Sequence, residues 1–183
     1  MPKFLEPLIM GNPILLERSV EVDDISSPEI QEHIKNILHT VQTIGERVGL
    51  AAPQVGILKR IVVFRIPAKP VNPRYASTAD PNQVEIPWTA FINPVITPVS
   101  DAVTAGWEGC ISVPGMMGKV DRFDHIKYTY FDEKGEFHEC EAKGFHARVM
   151  QHEFDHLDGI LFPMRVKDMR DFGYEKEIVK NLG

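Results

Sequence analysis

The chain has 183 residues, 43% hydrophobic and 25% charged, a balance that suits one globular domain spanning residues 1–183 with a buried core. A formal net charge of −6 argues against direct nucleic-acid binding, which needs clustered Lys and Arg. Two cysteines, Cys110 and Cys140, exclude a disulfide-dense secreted scaffold. No apolar run reaches the roughly 18 residues of a membrane span, and Met1 to Val20 lacks signal-peptide features, so the expected address is the cytoplasm, or an organelle if a presequence is missing.

In chain order, Ser27-Pro28-Glu29 is a helix start: a capping hydroxyl, a proline at the first position and an acid in the first turn. Ile30, Ile34, Ile37, Leu38, Val41 and Ile44 follow at helical spacing, which predicts an amphipathic helix over 28–44 stopped by Gly45. Residues 48–56, rich in Gly, Ala and Pro, predict a tight loop. Ile61 to Phe64 is a β-branched run expected as a buried strand. Prolines from Pro67 to Pro87 predict a long surface loop, and 89–99 reads as extended. Residues 125–131 and 136–142 are predicted strands joined by a hairpin turn at Asp132 to Gly135. A second helix is expected over 145–157. Its apolar residues fall on two faces, which predicts deep burial. The charged tail from Met164 to Gly183 reads as a solvated helix or a frayed end.

The second helix carries His152-Glu153-Phe154-Asp155-His156. Residues four apart share a helix face, so two imidazoles can hold one metal ion while the intervening Glu reaches water beside it. Unpaired, such buried groups would each cost about 1–3 kcal/mol. Cys110, in a glycine-flanked segment, offers a third, thiolate donor. Two His and one Cys leave a fourth position open, as catalytic sites do. Cys140 and the other histidines lack such a context.

Three segments together resemble the peptide deformylase family: Arg47 to Gln54 against a G-x-G-x-A-A-x-Q loop, Glu108 to Ser112 against E-G-C-x-S, and Gln151 to His156 against Q-H-E-x-D-H. The resemblance runs from about Ile9 to Phe162. It implies an α+β fold, with short, mainly antiparallel sheets around a central metal-bearing helix, to which the apolar spacing adds the N-terminal amphipathic helix and the tail a candidate C-terminal one. It also implies removal of the formyl group from the N-terminal formyl-methionine of new polypeptides. Cys110, His152 and His156 would bind one divalent metal, iron(II) first, with zinc, nickel or cobalt as alternatives. The metal would bring water's pKa towards about 7. Glu153 would be general base and acid, while the Gln54 side chain and the Ile111 backbone N–H would donate to the formyl oxygen. Val48, Gly49, Gly109, Phe145, Val149 and the stem of Arg148 are candidates for binding the substrate. Glu108 and Arg122 would pair to brace the Cys110 segment, with Gln151 and Asp155 as further supports. N-formyl-methionyl nascent peptides are the implied partner, and the ribosome near its exit tunnel is a candidate one.

Arg47 stands where the family loop has its first glycine, so either the backbone there needs no positive φ or the loop differs. Two other readings remain open at this stage. A zinc peptidase would use the same helix motif but usually takes a His or Glu as third ligand, which Cys110 argues against. A non-catalytic module that captures peptide N-termini would need neither Glu153 nor Gln54.

Overall fold

The computed structural model describes residues 1–45, 47–67 and 84–181. Among these, the helices are α1 (Pro28–Ile44), α2 (Gly144–Leu157) and α3 (Glu175–Lys180). The strands are β1 (Gly49–Ala51), β2 (Ile61–Ile66), β3 (Ile86–Pro98), β4 (Val103–Cys110), β5 (Val113–Phe123), β6 (His125–Phe131), β7 (Phe137–Lys143) and β8 (Phe172–Tyr174). They form two antiparallel sheets, one ordered β1-β2-β3-β6-β7 and the other β4-β5-β8.

Strand β2 explains how the layers stack. Side chains alternate across a sheet, so Ile61 and Val63 turn one way and Val62, Phe64 and Ile66 the other. The first pair packs with Ile30, Ile34, Ile37 and Val41 of α1. The second set packs with Phe145, Val149, Met150, Phe154 and Leu157 of α2. The five-stranded sheet is therefore covered on both faces, and α2 lies between it and the β4–β5 hairpin. A smaller core of Leu15, Val113, Val120, Leu161 and Phe162 underlies the second sheet.

Local chemistry sets the boundaries. The Ser27 hydroxyl accepts from the Ile30 amide at 3.4 Å, and α1 runs over the predicted 28–44. At the β6–β7 turn, the Asp132 carboxylate accepts from the Lys134 and Glu136 amides at 2.9 Å each. In β3 the register shifts between Ile92 and Val95, where Asn93 has φ 50° and its amide clasps both the N–H and the C=O of Val22.

The structure departs from the sequence reading in three places. Residues 48–56 are not loop throughout: Gly49–Ala51 is a strand paired with β2, followed by a 3-10 turn over Ala52–Val55. The β4–β5 hairpin, unpredicted, extends over Val103–Phe123. The tail holds both a short strand, β8, and the helix α3. Of the expected 67–87 loop, residues 68–83 lie outside the described residues, as do 182–183 at the end of the tail. No helix among the described residues is long and apolar enough to cross a membrane.

Candidate metal centre

Cys110 ends β4, while His152 and His156 project from α2 one turn apart, their ring centroids 5.1 Å from each other. The donor atoms of the three residues all lie within 4.8 Å of one another. Cys110 Sγ is 3.3 Å from His156 Nε2. Burial would push the Cys110 thiol up, but the two imidazoles outweigh it and hold the thiol well below its usual range. His152 is correspondingly held well above the usual imidazole value, against burial, by Cys110 and Glu108. The trio thus sets a thiol whose charged form is favoured beside two imidazoles, a donor set suited to a divalent cation. His156 Nδ1 and Glu153 Oε2 are buried without hydrogen-bond partners. The donor chemistry and spacing fit one metal ion.

Glu153 follows His152 on the helix and is 6% exposed, with its pKa raised by burial. A carboxyl so placed is suited to exchanging a proton with water beside the donors. Gly49 on β1 makes room for it: a Cβ there would stand 2.5 Å from Glu153 Oε1. Gln54 is equally fixed. Its Oε1 accepts from the Ala51 amide at 2.9 Å, which turns Nε2 towards Cys110 Sγ at 3.3 Å and Ser112 Oγ at 3.1 Å. Ile111 occupies the turn between Cys110 and Ser112, and Gly109 lies between Glu108 and Cys110, where the β4–β5 register shifts.

The face of α2 that meets the β4–β5 hairpin is polar. Arg148, Gln151, His152 and Asp155 follow one another at steps of 3, 1 and 3, the spacing of one helix face. His152 Nδ1 pairs with Glu108 Oε2 at 2.8 Å, and the ring also meets the Cys110 sulfur. Arg122 grips Glu108 at both oxygens, 2.9 Å each, and also reaches Asp155 Oδ2 at 2.6 Å. Burial would raise the Glu108 carboxyl, but Arg122 and His152 hold it well below the usual carboxylate range. Arg165 closes the far end on Asp155 with contacts of 2.5 and 2.6 Å. Gln151 acts as a stand-in strand neighbour, accepting from the Phe123 amide at 3.0 Å and donating to its carbonyl at 2.9 Å.

The sequence-predicted residues therefore divide. Cys110, His152 and His156 come together with Gln54, and Glu153 lies beside Gly49; Gly109 and Ile111 flank Cys110 in the chain. Glu108, Arg122, Gln151 and Asp155 form the polar face behind the donors. Phe145 is fully buried in the core with Val149, and Val48 packs at its edge. The Arg148 guanidinium lies among Glu108 and carbonyls of the β4–β5 hairpin. Arg47 is exposed, and Gly45, two residues before it, has φ 70°. Sequence reasoning passed over two contributors. One is Ser112, whose place in the E-G-C-x-S segment was a signal; the other is Arg165, which had none.

The N-terminal segment spans this arrangement. The Lys3 and Leu5 amides bond Asn36 Oδ1 and Thr40 Oγ1 on α1, at 2.7 and 2.9 Å. The Leu8 and Met10 amides then bond the carbonyls of Gln54 and Ser112, at 2.7 Å each.

A Cys-His-His donor set with a buried glutamate beside it, one of whose oxygens has no partner, is a metallohydrolase type of site. A family model described as polypeptide deformylase matches residues 6–172. The chain is 40% identical over 171 residues to peptide deformylase 1 of Nitrosomonas europaea, covering 93% of this chain and 92% of that one. It is 47% identical over 174 residues to peptide deformylase 1 of Prochlorococcus marinus, covering 94% and 86%. The crystal structure of an Acinetobacter baumannii peptide deformylase bound to Met-Ala-Ser superposes with a TM-score of 0.76 at 35% identity, covering 91% of this chain and all of that one. The chain belongs to the peptide deformylase family and is an enzyme.

Proposed function

We propose that this chain, as a single domain, hydrolyses the formyl group from the N-terminal formyl-methionine of newly synthesised polypeptides in the cytoplasm. The observation that carries the reading is the meeting of Cys110, His152 and His156 donors within 4.8 Å beside the buried Glu153 carboxyl. Those three side chains would hold one divalent cation, iron(II) by preference, with zinc, nickel or cobalt accepted. When bound, the cation lowers the pKa of water and polarises the formyl carbonyl.

Glu153 takes a proton from water as the water oxygen bonds to the formyl carbon. Charge then develops on the formyl oxygen, and Gln54 Nε2 and the Ile111 N–H donate to it. Gln54 is pre-aimed, since the Ala51 amide fixes its other end. The C–N bond breaks, Glu153 returns its proton to the departing amine, and formate and a free N-terminus result. Val48, Gly49, Gly109, Phe145 and Val149 are the proposed walls for the substrate. Glu108, Arg122, Gln151 and Asp155 hold the donors in place. The A. baumannii relative, bound to Met-Ala-Ser, supports a peptide beginning with methionine as the ligand class. The ribosome near its exit tunnel is the place where such substrates emerge.

Formyl-Met-Ala peptides should release formate while acetyl-Met-Ala does not, and protein purified anaerobically should carry about one metal per chain. Equal rates on both peptides would make the enzyme a general acylase.

A further inference from the structure

We infer that Arg148 is a positioning residue for the metal donors: its guanidinium is a strut that sets the distance between helix α2 and the hairpin carrying Cys110. The inference rests on the metal-centre reading above.

Arg148 is only 4% exposed, and its partners come from both strands of the hairpin. Nη1 donates to Glu108 Oε1 at 2.8 Å and to the Val120 carbonyl at 2.9 Å. Nη2 donates to the Thr104 carbonyl at 2.6 Å, and a longer contact of 3.4 Å runs from Nη1 to the Gly106 carbonyl. Gly106 and Val120 face each other across the ladder, so one planar group ties the helix to β4 and β5 together. The reach exists because position 106 has no side chain. A Cβ there would stand 2.7 Å from Arg148 Cζ and 2.8 Å from Nη2.

The geometry favours this role over a wall for the substrate's side chain. A buried guanidinium is costly unless well partnered, and an apolar residue would fill the same volume more cheaply. Here the fork uses its directional donors on fixed backbone carbonyls, and Lys could not match that number of directions. Arg148 also lies one helical turn before His152, and both grip Glu108, one at each oxygen. The β4 segment from Thr104 to Glu108 is thereby fixed to the helix two residues before Cys110. The distance between sulfur and imidazoles is what a metal of fixed bond lengths requires.

The test is zinc affinity, measured by competition with a chromogenic chelator on wild type, Arg148→Met, Arg148→Lys and Gly106→Ala. Arg148→Met should weaken zinc binding roughly tenfold, as partners behind metal ligands commonly do. Gly106→Ala keeps every charge but displaces the guanidinium, and should weaken zinc binding similarly. Arg148→Lys should recover part of the affinity. The double variant should be no weaker than the worse single variant, because both changes remove one strut. With cobalt in place of zinc, the sulfur-to-cobalt absorption band should change in the same variants, while circular dichroism reports the fold retained. Variants that fold and bind zinc like wild type, with only KM for formyl-methionyl peptides altered, would overturn the inference and return Arg148 to the pocket. Wild-type protein that fails to bind zinc would instead overturn the metal-centre reading itself.

Discussion

Helix α2 has two faces that work in opposite ways. Towards the five-stranded sheet it presents Phe145, Met150, Phe154 and Leu157, packed against Phe64, Phe91 and Ile126. Towards the hairpin it presents Arg148, Gln151, His152 and Asp155, each engaged in directional bonds. Apolar contact is strong but tolerant of direction, so it stabilises without fixing angles finely. Charge-assisted bonds add less net stability, yet they specify distances. The first face keeps the helix in the protein, and the second sets where its imidazoles point.

Substitutions should separate these two contributions. Glu153→Ala, next to the polar face, should lower formate release by about 10²–10⁴-fold with metal content retained. Steady-state kinetics alongside elemental analysis would check it, and an unchanged rate would move the proton-transfer role elsewhere. Met150→Ala, on the apolar face, should cost about 2–5 kcal/mol in urea unfolding yet leave metal content unchanged. Loss of metal without loss of stability there would erase the contrast between the faces.

His146 tests the apolar side with pH. Burial pushes its pKa down to about 4, and its ring packs near Phe64 and Tyr128. Because the unfolded chain takes up the proton first, stability is full above about pH 6.5 and falls as the pH drops towards about 4, by at most about 3 kcal/mol. His146→Phe should flatten that slope in unfolding curves taken across this range. Finally, Gly49→Ala inserts a methyl against the Glu153 carboxylate. Displacing that group by a fraction of its length should lower kcat by about 10²-fold with little change in thermal midpoint. A normal kcat would mean that Glu153 has room to spare.

Both faces of α2 were written into the sequence, but not equally. Apolar periodicity exposed α1 and α2 because one residue type repeats at the helical step. That Cys110, His152 and His156 come together was foreseeable, since two histidines four apart share a helix face and a glycine-flanked thiol offers a third donor atom. The β4–β5 hairpin was not legible: Gly106, Gly109, Pro114, Gly115 and Gly118 look like loop residues. At Gly106 and Gly118 the missing side chains instead admit Arg148 and the Val166–Phe162 pair. The role of Arg148 was hidden for the same reason, since its partners are mainly backbone carbonyls, which no residue pattern reveals. β1 escaped notice because three small or aliphatic residues carry no alternation.

The amides of Leu8 and Met10 end on the carbonyls of Gln54 and Ser112, which belong to separate segments whose side chains also meet. Deuterium uptake at these two sites therefore acts as a built-in gauge of whether those segments stay together. A fusion partner that drags on the leading segment, or a nick within it, would register there before any side chain at the centre had changed.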